Sequence, residues 1–89
     1  MITRVYKKVN NLSKYNYFMV TAKLSCANHK KIPNTGFKYL RDDLDAEIWW
    51  NPITNNQIKI EKISGFYTKE YLTTLIEQAG LTINEFIEL

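Results

Sequence analysis

A small α+β domain in the order helix, three strands, helix is predicted for this 89-residue chain by three observations. Between residues 37 and 63 apolar and polar residues alternate in short runs, the period of half-buried strands. From Thr68 onward the period lengthens, and Leu72, Leu75, Ile76 and Ala79 fall at i, i+3, i+4 and i+7, one apolar stripe for one sheet face. The length leaves room for a single modest core, so strands and helices must share it.

The elements follow in order. Met1 to Ser25 shows no clear helical period, and Tyr15 to Ala22 is rich in strand formers. Asn10-Asn11-Leu12-Ser13 reads as a turn, so Ile2–Val9 and Tyr17–Leu24 are expected to be two short strands, or a tail and one strand. Residues 1–22 are thus a basic N-terminal arm or extra strand ahead of a domain spanning 23–89. Ser25 is the expected N-cap of a short helix to Ile32, where Pro33 biases its predecessor away from helix and Gly36 follows. Strands are expected over Phe37–Arg41, Ala46–Trp50 and Gln57–Ile63, in the last of which Ile58 and Ile60 alternate with Lys59 and Glu61. Asn51-Pro52-Ile53-Thr54-Asn55-Asn56 has hairpin-loop chemistry, since Pro fixes its own φ and Asn tolerates positive φ. Gly65 ends the third strand, Thr68 opens the long helix and Gly80 closes it as a left-handed residue. Thr82 and Glu85 have capping-box spacing for a last turn that folds Phe86 and Ile87 onto the core.

Composition narrows the function classes. With 45% hydrophobic and 24% charged residues the chain has the make-up of an ordinary soluble domain, and no apolar run approaches a membrane span. Arg4, Lys7, Lys8 and Lys14 are interleaved with polar residues rather than followed by an apolar stretch, so a signal peptide is not expected and the cytoplasm is. One cysteine, Cys26, makes no internal disulfide, and with one histidine, His29, it builds no zinc site without further ligands. His29, flanked by Asn28, Lys30 and Lys31, reads as a solvated surface residue of the short helix.

Charge is lopsided. The first 41 residues hold nine of the twelve basic residues and no acid, and the rest hold three bases and nine acids. Such a basic half is the footprint of a phosphate-backbone binder, with packing against the chain's own acidic half as the alternative. The candidate RNA contacts are Lys23, Lys30, Lys31, Lys38 and Arg41. Asp42, Asp43 and Asp45 form an acidic cluster that either attracts a divalent cation or is a solvated loop, and that repels phosphate locally. Trp49 and Trp50 must point to opposite faces of one strand, one into the core and one onto the open sheet, where it stacks on a base, meets a partner or simply covers the sheet.

Gly36-Phe37, the run Asp45-Ala46-Glu47-Ile48-Trp49, Asn51-Pro52, and Leu75-Ile76-Glu77-Gln78-Ala79-Gly80 followed by Glu85-Phe86 together resemble the HicA toxin family, small messenger-RNA interferases of bacterial toxin–antitoxin pairs. The resemblance covers about Lys23 to Leu89, and Arg41 matches a recurrent basic residue of its first strand. It implies a double-stranded-RNA-binding-like α-β-β-β-α fold with helices on one sheet face, ribosome-independent cleavage of mRNA, no cofactor or metal, and a HicB-type antitoxin as partner. In the family a Gly-Ser-His or Gly-Asp-His triplet enters the second strand; the matching residues are Leu44, Asp45 and Ala46, so Ala46 stands where the catalytic histidine would be. An imidazole can take the proton of a ribose 2′-hydroxyl or give one to the leaving oxygen, and a methyl group can do neither, a loss of about 10²- to 10⁴-fold in rate. The expected protein is therefore a toxin protomer without cleavage, either an inactivated toxin or a naturally decayed one. The alternatives are a non-enzymatic RNA- or antitoxin-binding module, or a small interaction or inhibitor protein using the unmatched segment Met1–Ala22.

Overall fold

The computed structural model describes residues 12–26 and 34–89. A 3-10 turn, Leu12–Lys14, leads into α1 (Tyr17–Ser25); β1 (Lys38–Asp43), β2 (Ala46–Asn51) and β3 (Asn56–Glu61) follow, then α2 (Lys69–Gln78) and α3 (Ile83–Glu88). The strands make one antiparallel sheet in the order β1-β2-β3. The protein is α+β with the expected three-stranded meander.

Register assigns the two faces. Ile58 and Ile60 are buried in one cluster with Val20 and Leu24 of α1, Leu72, Leu75 and Ile76 of α2, and Phe86 of α3. Cross-strand partners share a face, so Trp49 (opposite Ile58) and Glu47 (opposite Ile60) point toward the helices. Ala46, Ile48 and Trp50 point away from them, beside Glu61, Lys59 and Gln57. A register shift between Tyr39 and Arg41 adds one residue to β1, which places Lys38, Arg41 and Asp43 together on that open face, opposite Trp50, Ile48 and Ala46.

The turns are built by specific side chains. Asn51 is fully buried; its Oδ1 accepts from the Ile53 and Thr54 amides and its Nδ2 donates to the Thr35 carbonyl, so the Asn-Pro pair holds the β2–β3 loop. Thr68 caps α2 through the Tyr71 amide, and Gly80 follows at φ 81, where the end of the helix is also tied by Asn56 to the Gln78 carbonyl and by Asn34 to the Gly80 carbonyl. Thr82 and Glu85 form the reciprocal capping box of α3, and Phe86 is buried. Tyr71 covers the outer edge of β3, its hydroxyl accepting from the Glu61 amide and donating to the Lys59 carbonyl.

The N-terminal part differs from the sequence expectation. Tyr17–Leu24 is not a strand but most of α1, capped by Asn16 Oδ1 on the Met19 amide. Val20 and Leu24, one turn apart, are fully buried. Burying each contributes about 1.5–3 kcal/mol, more than the penalty of about 0.7 kcal/mol that any aromatic or β-branched residue brings to a helix. Ser25 is the last residue of α1, not the N-cap of a following one; the rest of that expected helix, with His29, Lys30 and Lys31, lies outside the described residues, as does Ile2–Val9. Leu12 and Tyr15 are in the common core, so residues 12–22 form no extra strand and belong to the folded body. β3 ends at Glu61; the Lys62 amide still donates to the Asp45 carbonyl, and the chain then bends at Ser64-Gly65 to bridge Phe66 to Asn16.

Candidate functional site

The hairpin joining β1 to β2 has two residues, Leu44 and Asp45, between the paired Asp43 and Ala46. Its first residue must turn left-handed, and Leu44 does so at φ 58 with a side chain 92% exposed. A Cβ is disfavoured there and glycine is not. The strand then delivers Ala46 to the open face. Its methyl is only 2% exposed yet lies outside the cluster between sheet and helices. It lines a depression of about 380 Å³ whose other walls are Asp43, Leu44, Asp45, Lys59, Glu61, Lys62 and Ile63.

The depression holds carboxylates and ammonium groups but no imidazole, thiol or hydroxyl. Lys59 pairs with Asp43 at 3.3 Å, and Lys62 with Asp42 at 3.5 Å. All four side chains are largely solvated, so each pair is worth at most about 1 kcal/mol. The expected acidic cluster is divided between the faces: Asp43 stands opposite Ala46 on the open side, and Asp42 opposite Glu47 on the helix side. Among the described residues no three His, Cys, Asp or Glu side chains converge to hold a metal ion.

Lys38 and Arg41 are exposed on the open face with no ion pair to any described residue. Lys38 stands opposite Trp50 and Arg41 opposite Ile48, the next residue of β2 on that face; Trp50 is half-buried and its indole Nε1 donates to Asn55 Oδ1 at 3.0 Å. The face thus carries free cations and an aromatic ring toward the β2–β3 loop, and carboxylates with paired lysines toward position 46. Trp49 takes the other side, packing against the core, as strand alternation requires.

Lys23 does not join the RNA contacts expected from charge. Its Nζ donates to the backbone oxygens of Ile87 (3.2 Å) and Leu89 (2.9 Å) and lies 5.6 Å from the ring centroids of Tyr15 and Phe86. Burial pushes its pKa down. It neutralises the carbonyl end of α3, where a cation is favoured. Cys26 is a half-buried free thiol at the end of α1.

On the helix side, sequence reasoning missed a polar lock. Glu47 is buried, and its Oε1 accepts from the Tyr17 hydroxyl at 2.6 Å and the Trp49 indole at 2.9 Å. Burial, then the Glu47 carboxylate, push the Tyr17 pKa up to about 12. Burial likewise raises Tyr67, whose hydroxyl donates to the Glu61 carbonyl. The available signal was parity, because Glu47 shares its strand face with Trp49 and so had to be a buried carboxylate. Beside the lock, Asn16, Tyr17, Phe18, Lys62, Ile63 and Phe66 line an apolar groove of about 340 Å³, in which Phe18 is 76% and Phe66 63% exposed.

Among the described residues no helix is long and apolar enough to cross a membrane. Comparison of the chain with protein-family models, with curated proteins and with solved structures gave no match.

Proposed function

We propose that this protein is a HicA-like toxin protomer with a double-stranded-RNA-binding-like fold, in which the RNA-binding face persists and the cleaving group is gone. The observation that carries the reading is the position of Ala46: first residue of the middle strand, on the face turned away from the helices, lining a depression of about 380 Å³. An imidazole on that carbon would stand opposite Asp43 on one side and Glu61 on the other, carboxylates suited to hold its tautomer and its charged form. With alanine there, the depression offers no imidazole to move a proton of the ribose 2′-hydroxyl. The same face is the one that a HicB-type antitoxin would cover.

The test is Ala46→His, made alone and with Leu44→Gly, against Ala46→Gln as a control of similar bulk. On the toxin reading the histidine variant cleaves mRNA in vitro and arrests growth when induced, about 10²- to 10⁴-fold above the glutamine variant. A second reading, a decayed binding module, is favoured by Leu44, a second departure that strains the very turn presenting position 46. It expects folded histidine variants that bind RNA without cutting it. Folded variants that neither bind nor cut refute both.

A further inference from the structure

We infer that the open sheet face binds unpaired nucleotides of a single strand, with one base stacked on Trp50 and the adjoining phosphates held by Lys38 and Arg41. This rests on the RNA-binding reading above and goes beyond it in naming the form of nucleic acid and the residue that selects it.

Two observations select a single strand. First, Trp50 is the large aromatic of the open face, paired across the sheet with Lys38 and Gln57, and it is absent from the core contacts that Trp49 makes. Its indole is fixed in place by Asn55, whose own φ of 60 is set by the turn, so little rotamer freedom is lost when a base lands on it. A base inside a duplex has both faces occupied by its neighbours and cannot use such a ring; a base in a single strand can. Second, the charges of this face are arranged for a short segment. Lys38 and Arg41 are free of ion pairs with described residues, whereas Lys59 is paired with Asp43. Past Ile48 the face carries three carboxylates, Asp43, Asp45 and Glu61, and its two ammonium groups, Lys59 and Lys62, are already paired with Asp43 and Asp42. A strand held at the cationic end therefore brings only its next backbone segment toward the depression, where carboxylates oppose further phosphate contact. A long rigid duplex, with charge along its whole length, would have to lie across both ends.

The experiment uses the whole chain and three probes: a fluorescein-labelled oligouridylate, the same oligomer annealed to its complement, and its deoxy counterpart, each titrated by anisotropy. Tryptophan quenching is followed in parallel in a Trp49→Phe background, so that the signal comes from Trp50. We expect the single strand to bind more tightly than the duplex and Trp50→Ala to weaken it about 5- to 150-fold. Trp50→Phe, which keeps a ring, should retain most of the affinity, and circular dichroism should show both variants folded. Equal binding of the deoxy strand supports a contact through base and phosphate, and preference for the ribose strand adds the 2′-hydroxyl to it. The inference is overturned if duplex binds as tightly as single strand, or if folded Trp50→Ala binds like the unsubstituted chain. Failure of the unsubstituted chain to bind any probe instead overturns the RNA-binding reading itself.

Discussion

Replacing Tyr17 by phenylalanine isolates the contact that fastens α1 to the middle strand. The ring stays on the core and the hydroxyl, 2.6 Å from Glu47 Oε1, is lost. A hydrogen bond to a charged group contributes about 1.5–3 kcal/mol. Two features place this one at or below the lower end: Glu47 Oε1 keeps the Trp49 indole at 2.9 Å, so the carboxylate is not orphaned, and Tyr17 is half-exposed, so solvent screens the pair. The expected loss is about 1–1.5 kcal/mol. In a domain of this size it lowers Tm by about 4–12 °C. The loss also has a pH signature. The tyrosine pKa rises from 10.0 to about 12 on folding, because burial and Glu47 disfavour the phenolate. Its contribution is therefore complete below pH 10 and disappears as pH rises through 12. Urea unfolding of the two proteins, followed by far-ultraviolet circular dichroism, should show the full difference at neutral pH and converging curves in that alkaline window. Tyr67 and the other tyrosines titrate in both proteins and cancel in the comparison. A difference that is absent at neutral pH, or unchanged through the alkaline window, would show that the hydroxyl does not bond the carboxylate as described.

Leu44→Gly should stabilise the protein by about 0.5–1 kcal/mol, since relief of a left-handed L-residue exceeds the entropy that glycine adds to the unfolded chain. The exposed leucine side chain has little packing to lose, and a urea midpoint that stays put or falls would show that the turn is unstrained. If Lys38 and Arg41 make two phosphate contacts, single-strand affinity should fall with salt at a log–log slope of about −1.4, at about 0.7 per contact. Alanine at both positions should flatten that slope, and a slope indifferent to the double substitution would locate the phosphate contacts elsewhere.

The C-terminal half was legible because its signals are local. Thr68, Gly80, Thr82 and Glu85 each bond within a turn of their own position, and the stripe of Leu72, Leu75, Ile76 and Ala79 needs no distant partner to be recognised. Alternation likewise put Trp49 and Trp50 on opposite faces, while which of them enters the core follows only from the register with Ile58. The N-terminal helix was not legible, because Phe18 and Met19 leave apolar residues on its exposed side and blur the period that Val20 and Leu24 define. Its strand-like composition then dominated the reading. Lys23 shows the limit of charge counting: an ammonium aimed at the carbonyls of α3 and one aimed at a phosphate look alike until the fold brings Lys23 to an acceptor 64 positions along the chain.

Adjacent residues of β2 serve opposite faces of the sheet. Ala46 lines the depression on the open face and stands outside the core cluster between sheet and helices. Glu47, one residue on, points the opposite way and holds α1 and Trp49 to the sheet. The lock therefore does not involve the side chain at position 46, whereas change at position 47 leaves the Tyr17 hydroxyl and the Trp49 indole without their acceptor. Strand alternation puts the two side chains on opposite faces, so on the proposed reading a histidine at position 46 tests cleavage without touching the Glu47 lock, provided circular dichroism shows the variant folded.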